Sequence, residues 1–185
     1  MTTGNRQLIL VSLISLAIGI SAFMLLRSQS ADFISASSVD QTNEEIDFKK
    51  IPFTLLDQKQ TSLNQWQQPV LIINFWAPWC LPCRKEIPDL IEIKNEYPDQ
   101  LQILGLSFDR EDFVREYQQK YNINYPLLLT QGKEAFYNRI FGNQSGGLPY
   151  TVILDQKRQI RFQHTGIITK TQLKTELENI ISYRP

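Results

Sequence analysis

The chain has 185 residues, enough for one folded domain and a further segment. Lysine plus arginine equals aspartate plus glutamate at 19 each, so the formal net charge is zero. That balance argues against a nucleic-acid binder, which carries a basic excess or stripe. Leu8 to Leu26 is apolar apart from three serines and is bracketed by Arg6 and Arg27; its nineteen residues suffice to cross a bilayer as a helix. Residues 1–27 are therefore expected to be an uncleaved signal anchor. The rival reading is a cleavable signal peptide with a small-residue site at Ile34-Ser35-Ala36, but the apolar stretch exceeds a usual signal core.

Residues 28–50 read as a flexible linker, rich in Ser, Gln, Asp, Asn and Glu and without a sustained period. A coil of that length reaches on the order of 25 Å. The folded domain is expected over 51–185. It opens with a hairpin, Phe53–Leu56 and Thr61–Leu63 around the polar turn Asp57–Gln60. Val70 to Phe75 follows as a short buried strand, continuous, β-branched and aromatic.

That strand runs into Trp76-Ala77-Pro78-Trp79-Cys80-Leu81-Pro82-Cys83, which holds both cysteines of the chain. From Arg84 onward the pattern turns helical, so Cys80 falls at a helix N-terminus. There, unpaired N–H groups and the helix dipole favour a thiolate. Cys80 is accordingly expected to be the attacking sulfur, and Cys83, one turn on, the partner that closes a disulfide. A zinc site would need two further Cys or His ligands, and the chain offers only His164. A purely structural disulfide over so short a loop would stabilise little.

Asn74 to Pro88, Asn-Phe-Trp-Ala-Pro-Trp-Cys-Leu-Pro-Cys-Arg-Lys-Glu-Ile-Pro, resembles the active-site stretch of membrane-tethered, thioredoxin-like thiol:disulfide interchange proteins of the TlpA, ResA and DsbE type. The resemblance extends more loosely over Ile51 to Ser182. It implies an α/β, thioredoxin-like fold: a central mixed sheet with helices on both faces and an N-terminal hairpin. It also implies that Leu148-Pro149 is cis and packs opposite the cysteines, and that Glu86 matches the acidic residue of the tethered family. Thioredoxins proper carry a buried Asp six residues before the first Cys. Here that position is Asn74, which cannot titrate, so Glu86 is the candidate proton acceptor; its competing reading is a solvated helix charge beside Lys85.

Several side chains around the motif are candidates for tuning it. Trp76 is expected to pack under the loop, and Trp79 to offer an apolar docking surface with Leu148 and Pro149. Leu81 and Pro82 lie between the sulfurs and help set the potential, which spans about −270 to −120 mV in related C-x-x-C proteins. Arg84 and Lys85 are candidates for thiolate stabilisation or equally for a solvated face, and Pro88 for a helix kink.

Leu101–Phe108 reads as a second buried strand, and Asp109 as the cap of a helix over Glu111–Tyr121 with Phe113, Tyr117 and Tyr121 on one stripe. Tyr125–Thr130 gives a short strand and Lys133–Phe141 a short helix stopping at Gly142. The stretch Glu111–Thr130 resembles the insertion usual in the tethered type. Val152–Leu154 and Gln159–Phe162 make a closing hairpin around the turn Asp155–Arg158. A last helix begins at a Thr169/Gln172 capping box and carries the stripe Leu173, Leu177, Ile180 and Ile181. His164 is read as structural.

The expectation is thus a thiol:disulfide oxidoreductase, single-pass in the inner membrane, with its catalytic domain in the periplasm or an equivalent space. Its only redox group is the Cys80–Cys83 pair, with no other cofactor and no metal. Its partners are protein disulfide substrates, such as apocytochrome c, and a membrane electron donor; it binds no nucleic acid and is a monomer. The resemblance favours a reductant. An oxidant or isomerase, and a thiol-based copper metallochaperone, are the alternatives. A peroxidase is disfavoured, because that chemistry wants a lone peroxidatic Cys among Thr or Ser and Arg.

Overall fold

The computed structural model describes residues 46–182. The apolar segment Leu8–Leu26, the Ile34-Ser35-Ala36 site and the linker up to residue 45 lie outside the described residues. Among those described, no helix is long and apolar enough to cross a membrane. The compact unit begins at Ile46, a little ahead of Ile51. A short 3-10 helix over Phe48–Lys50 carries Phe48 onto Phe141, with ring centroids 5.2 Å apart.

The elements are β1 (Pro52–Leu55), β2 (Gln60–Ser62), β3 (Val70–Trp76), α1 (Leu81–Glu96), β4 (Leu101–Ser107), α2 (Glu111–Tyr121), β5 (Leu127–Leu129), α3 (Glu134–Ile140), β6 (Tyr150–Leu154), β7 (Ile160–Thr165) and α4 (Lys170–Ser182). They build one mixed sheet in the order β2-β1-β5-β4-β3-β6-β7. The pairs β3–β4 and β4–β5 are parallel; β1–β2, β1–β5, β3–β6 and β6–β7 are antiparallel.

Every residue of β3 and β4 is buried, which is why both read as unbroken apolar runs instead of alternating ones. Successive side chains leave opposite faces. Ile72, Trp76 and Ile103 pack against Ile87 and Leu90 of α1, Val114 and Tyr117 of α2, and Leu173 and Leu177 of α4. Ile73, Phe75, Leu104 and Leu106 face the other way, onto Phe53, Tyr137 and Phe141. The sheet with helices on both faces and the N-terminal hairpin are the arrangement expected.

One local expectation is corrected. Asp109 is not the cap of α2: Arg110 occupies that position, and no side chain caps the helix. The core side of α2 is Val114 and Tyr117, with Phe113 and Tyr121 turned outward. Pro88 lies inside α1, which runs on through it, and its missing N–H leaves the Arg84 carbonyl without its helical donor.

Two further positions set the packing around β3. A Cβ built on Gly105 would lie 2.7 Å from Leu127 Cδ2 and 3.0 Å from Trp76 Nε1. Gly105→Ala is therefore expected to cost about 1–3 kcal/mol of stability, read from the midpoint of denaturant unfolding. Arg158 sits in the left-handed region at φ 65° and is buried. From the β6–β7 turn its guanidinium donates to the carbonyls of Trp66 and Gln68, just ahead of β3, and to that of Asp155.

Candidate active site

The chain leaves the end of β3 at Trp76, turns through Ala77-Pro78-Trp79 and enters α1 at Cys80. Cys80 is the N-cap residue, with extended backbone and its Sγ accepting from the Cys83 N–H at 3.2 Å. Pro82 stands in the first turn, where its lack of an N–H costs nothing because that donor would have no helical partner. Cys80 and Cys83 are joined as a disulfide, their Cα atoms 5.3 Å apart. Both are buried, Cys83 completely. The residues beside them are not: Trp79 is 65% and Leu81 66% exposed, so both offer apolar surface at the mouth of the site. Trp76 is buried under the loop, as expected.

Leu148-Pro149 is cis. Because Tyr150 pairs with Phe75, Pro149 lies at the end of β3 from which the cysteine loop departs. The Pro149 carbonyl accepts from the Gly166 N–H at 2.8 Å, and the Leu148 side chain packs partly into both cores.

Glu86 is not a solvated helix charge. It is 1% exposed, one turn beyond Cys83 on α1. Its Oε1 accepts from Asn74 Nδ2 at 2.7 Å, and its Oε2 accepts from the Ile168 N–H at 3.0 Å. Burial raises its pKa from 4.5 to about 7; the Ile168 and Asn74 hydrogen bonds pull the other way, and the nearby Asp89 charge adds to the rise. Asn74 Nδ2 also donates to Thr151 Oγ1 at 3.2 Å. The residue that cannot titrate is thus the support of the one that can.

Arg84 is tied to α2. Its Nε donates to the Tyr117 hydroxyl at 3.2 Å and its Nη2 to that of Tyr121 at 3.3 Å. This tie frames an open groove of about 450 Å³ lined by Pro78, Trp79, Arg84, Phe113, Tyr117 and Lys120. The sequence shows the aromatic spacing on α2 but not that α2 faces Trp79. His164 lies on β7 beside Phe162, its Nε2 3.1 Å from the Ile167 carbonyl. Among the described residues no three His, Cys, Asp or Glu side chains form a group able to hold a metal ion.

A C-x-x-C pair joined as a disulfide at a helix N-terminus, where an interior strand of a mixed sheet ends, is the arrangement of a thiol:disulfide oxidoreductase of the thioredoxin-like class. The chain belongs to the AhpC/TSA family, whose profile matches residues 35–163. It is 32% identical over 128 residues to the thioredoxin-like protein YneN of Bacillus subtilis (strain 168), covering 66% of this chain and 72% of that one. Against the thiol-disulfide oxidoreductase ResA of Bacillus thuringiensis (strain Al Hakam) the identity is 29% over 130 residues, covering 69% and 72%. Among solved structures, a thioredoxin-related protein from Neisseria meningitidis serogroup B superposes with a TM-score of 0.64 at 27% identity, over 70% of this chain and 98% of that one.

Proposed function

We propose that this oxidoreductase is a reductant of protein disulfides outside the cytoplasm, tethered through Leu8–Leu26 and recharged by a membrane dithiol donor. Apocytochrome c is the client class that the ResA and DsbE resemblance suggests. The observation that carries the reading is Glu86, a buried carboxyl with a pKa near ambient pH, one turn from the wholly buried Cys83.

In the reduced enzyme the Cys80 thiolate attacks one sulfur of the client disulfide. A Cys80–client bond forms, and the other client sulfur leaves as a thiolate. Cys83 gives its proton to the Glu86 carboxylate and attacks Cys80 Sγ. The Cys80–Cys83 bond closes and the second client sulfur departs. Two electrons have passed to the client, and the proton on Glu86 is returned to a departing thiolate. A donor dithiol then reopens the pair by the reverse exchange. Trp79, Leu148 and Pro149 hold the client at the rim, while Leu81 and Pro82 bias the potential.

The deciding experiment is the reduction potential of the Cys80–Cys83 pair, equilibrated in glutathione or dithiothreitol buffers. A value near or below about −270 mV supports a reductant; one near about −120 mV overturns it in favour of a disulfide-forming enzyme. The rim is tested separately. Trp79→Ala is expected to raise KM for a protein disulfide about tenfold, some 1.4 kcal/mol. The rate with a small disulfide and the melting temperature should stay unchanged, because the indole supports no core.

A further inference from the structure

The Ile167 carbonyl and the Ile168 N–H belong to one peptide group. Its N–H donates to Glu86 Oε2 at 3.0 Å, and its oxygen lies 3.1 Å from His164 Nε2. A carbonyl can only accept, so Nε2 carries the hydrogen. Hydrogen bonds in series polarise one another: donation into the C=O makes the N–H on the other side of the same amide a stronger donor. We infer that His164 is a positioning residue, which acts through the Ile167–Ile168 peptide to hold and stabilise the Glu86 carboxylate. The inference rests on the reading of Glu86 as the proton acceptor for Cys83.

The surroundings fix this path at both ends. The His164 ring lies nearly parallel to Phe162, 9° between planes. Its backbone pairs with Thr151, whose hydroxyl accepts from the same Asn74 amide that donates to Glu86 Oε1. The loop carrying the peptide is anchored at its start by the Gly166 N–H on the Pro149 carbonyl.

Other titratable groups near Glu86 do not replace the link. Asp89, on the same helix, opposes the carboxylate and accepts from the Lys170 N–H, while the Lys170 ammonium pairs outward with Glu92 and Glu96. The buried Tyr125 phenol has its pKa raised by burial and stays neutral. Cys83 is the group that Glu86 serves.

The test titrates Glu86 by carbon NMR in the full chain labelled at glutamate Cδ, with Glu86→Gln assigning the signal. His164→Phe keeps a ring against Phe162 but has no donor; His164→Gln restores an Nε2 donor at similar reach. The phenylalanine variant is expected to raise the proton affinity of Glu86 three- to tenfold. The glutamine variant should return it to within about twofold of the parent, and the pH profile of the Cys83 resolution step should move in parallel. A Glu86 midpoint that does not move in His164→Phe overturns the inference. If that variant does not fold, His164→Asn, too short to reach the carbonyl, takes its place with the same criteria. A resolution-step pH profile that Glu86→Gln leaves unchanged is a different failure: it overturns Glu86 as the proton acceptor, and the catalytic part of the inference with it.

Discussion

Cys83→Ser is expected to give an enzyme that captures protein disulfides and cannot release them. Cys80, at the N-cap of α1, keeps the N–H environment that favours its thiolate, and it forms the bond to the client as before. The second exchange then has no nucleophile. The adduct should accumulate to one client per chain, seen as a dithiothreitol-sensitive mass increase, while multiple turnover falls on the order of 10³-fold or more. Cys80→Ser should lose turnover to a similar degree but form no adduct, because Cys83 is wholly buried. Equal trapping by both variants would mean that either sulfur reaches the client, and the assignment of Cys80 as attacker would be wrong.

Glu86→Gln is expected to change how stability depends on pH more than it changes stability at any one pH. In the folded, disulfide-bonded chain the Glu86 pKa stands at about 7 against 4.5. Between those values the folded state holds a proton that the unfolded state has released, so stability falls as pH rises through the window. The rise corresponds to about 3 kcal/mol, absent below pH 4.5 and fully expressed above 7. Glutamine carries no such titration, but it sets an N–H₂ against the Ile168 N–H and loses hydrogen bonding at every pH. The variant should therefore be less stable than the parent at pH 4 and recover about 3 kcal/mol relative to it by pH 8. Denaturant unfolding of both oxidised proteins at the two pH values measures this. A difference that does not vary with pH would show that Glu86 does not titrate in the window.

The parts of the molecule that follow from neighbouring residues are legible in the sequence. The run Val70–Trp76, the C-x-x-C at the start of α1 and the Thr169/Gln172 box are each set by residues within a turn or a strand. The box forms as expected, with the Thr169 N–H on Gln172 Oε1 and the Gln172 N–H on Thr169 Oγ1. The state of Glu86 is not legible in that way. Its burial depends on Asn74, twelve residues earlier, and on the Ile168 amide, 82 residues later, and a backbone N–H leaves no mark in a sequence. The partners of Arg84 are hidden for a related reason. Beside Cys83 it reads as a counter-charge to sulfur, whereas the fold brings α2 alongside and two tyrosine hydroxyls take the guanidinium. On α2 the aromatic spacing is regular, yet the core takes Val114 and Tyr117, the latter against the Trp76 ring at 5.4 Å. The groove beside Trp79 follows from that rotation.

Arg158 has a bearing on how the molecule opens. Its guanidinium joins the β6–β7 turn to the stretch just before β3, some 90 residues away in sequence. Those carbonyls lose their partner whenever the turn frays, and the buried charge loses its acceptors whenever the stretch before β3 lifts. The two segments are therefore expected to open as one cooperative unit, their amides exchanging together. The central strand that delivers Cys80 is thus held at its beginning by a hairpin made well after it, so the strand is not fully secured until that hairpin has been synthesised.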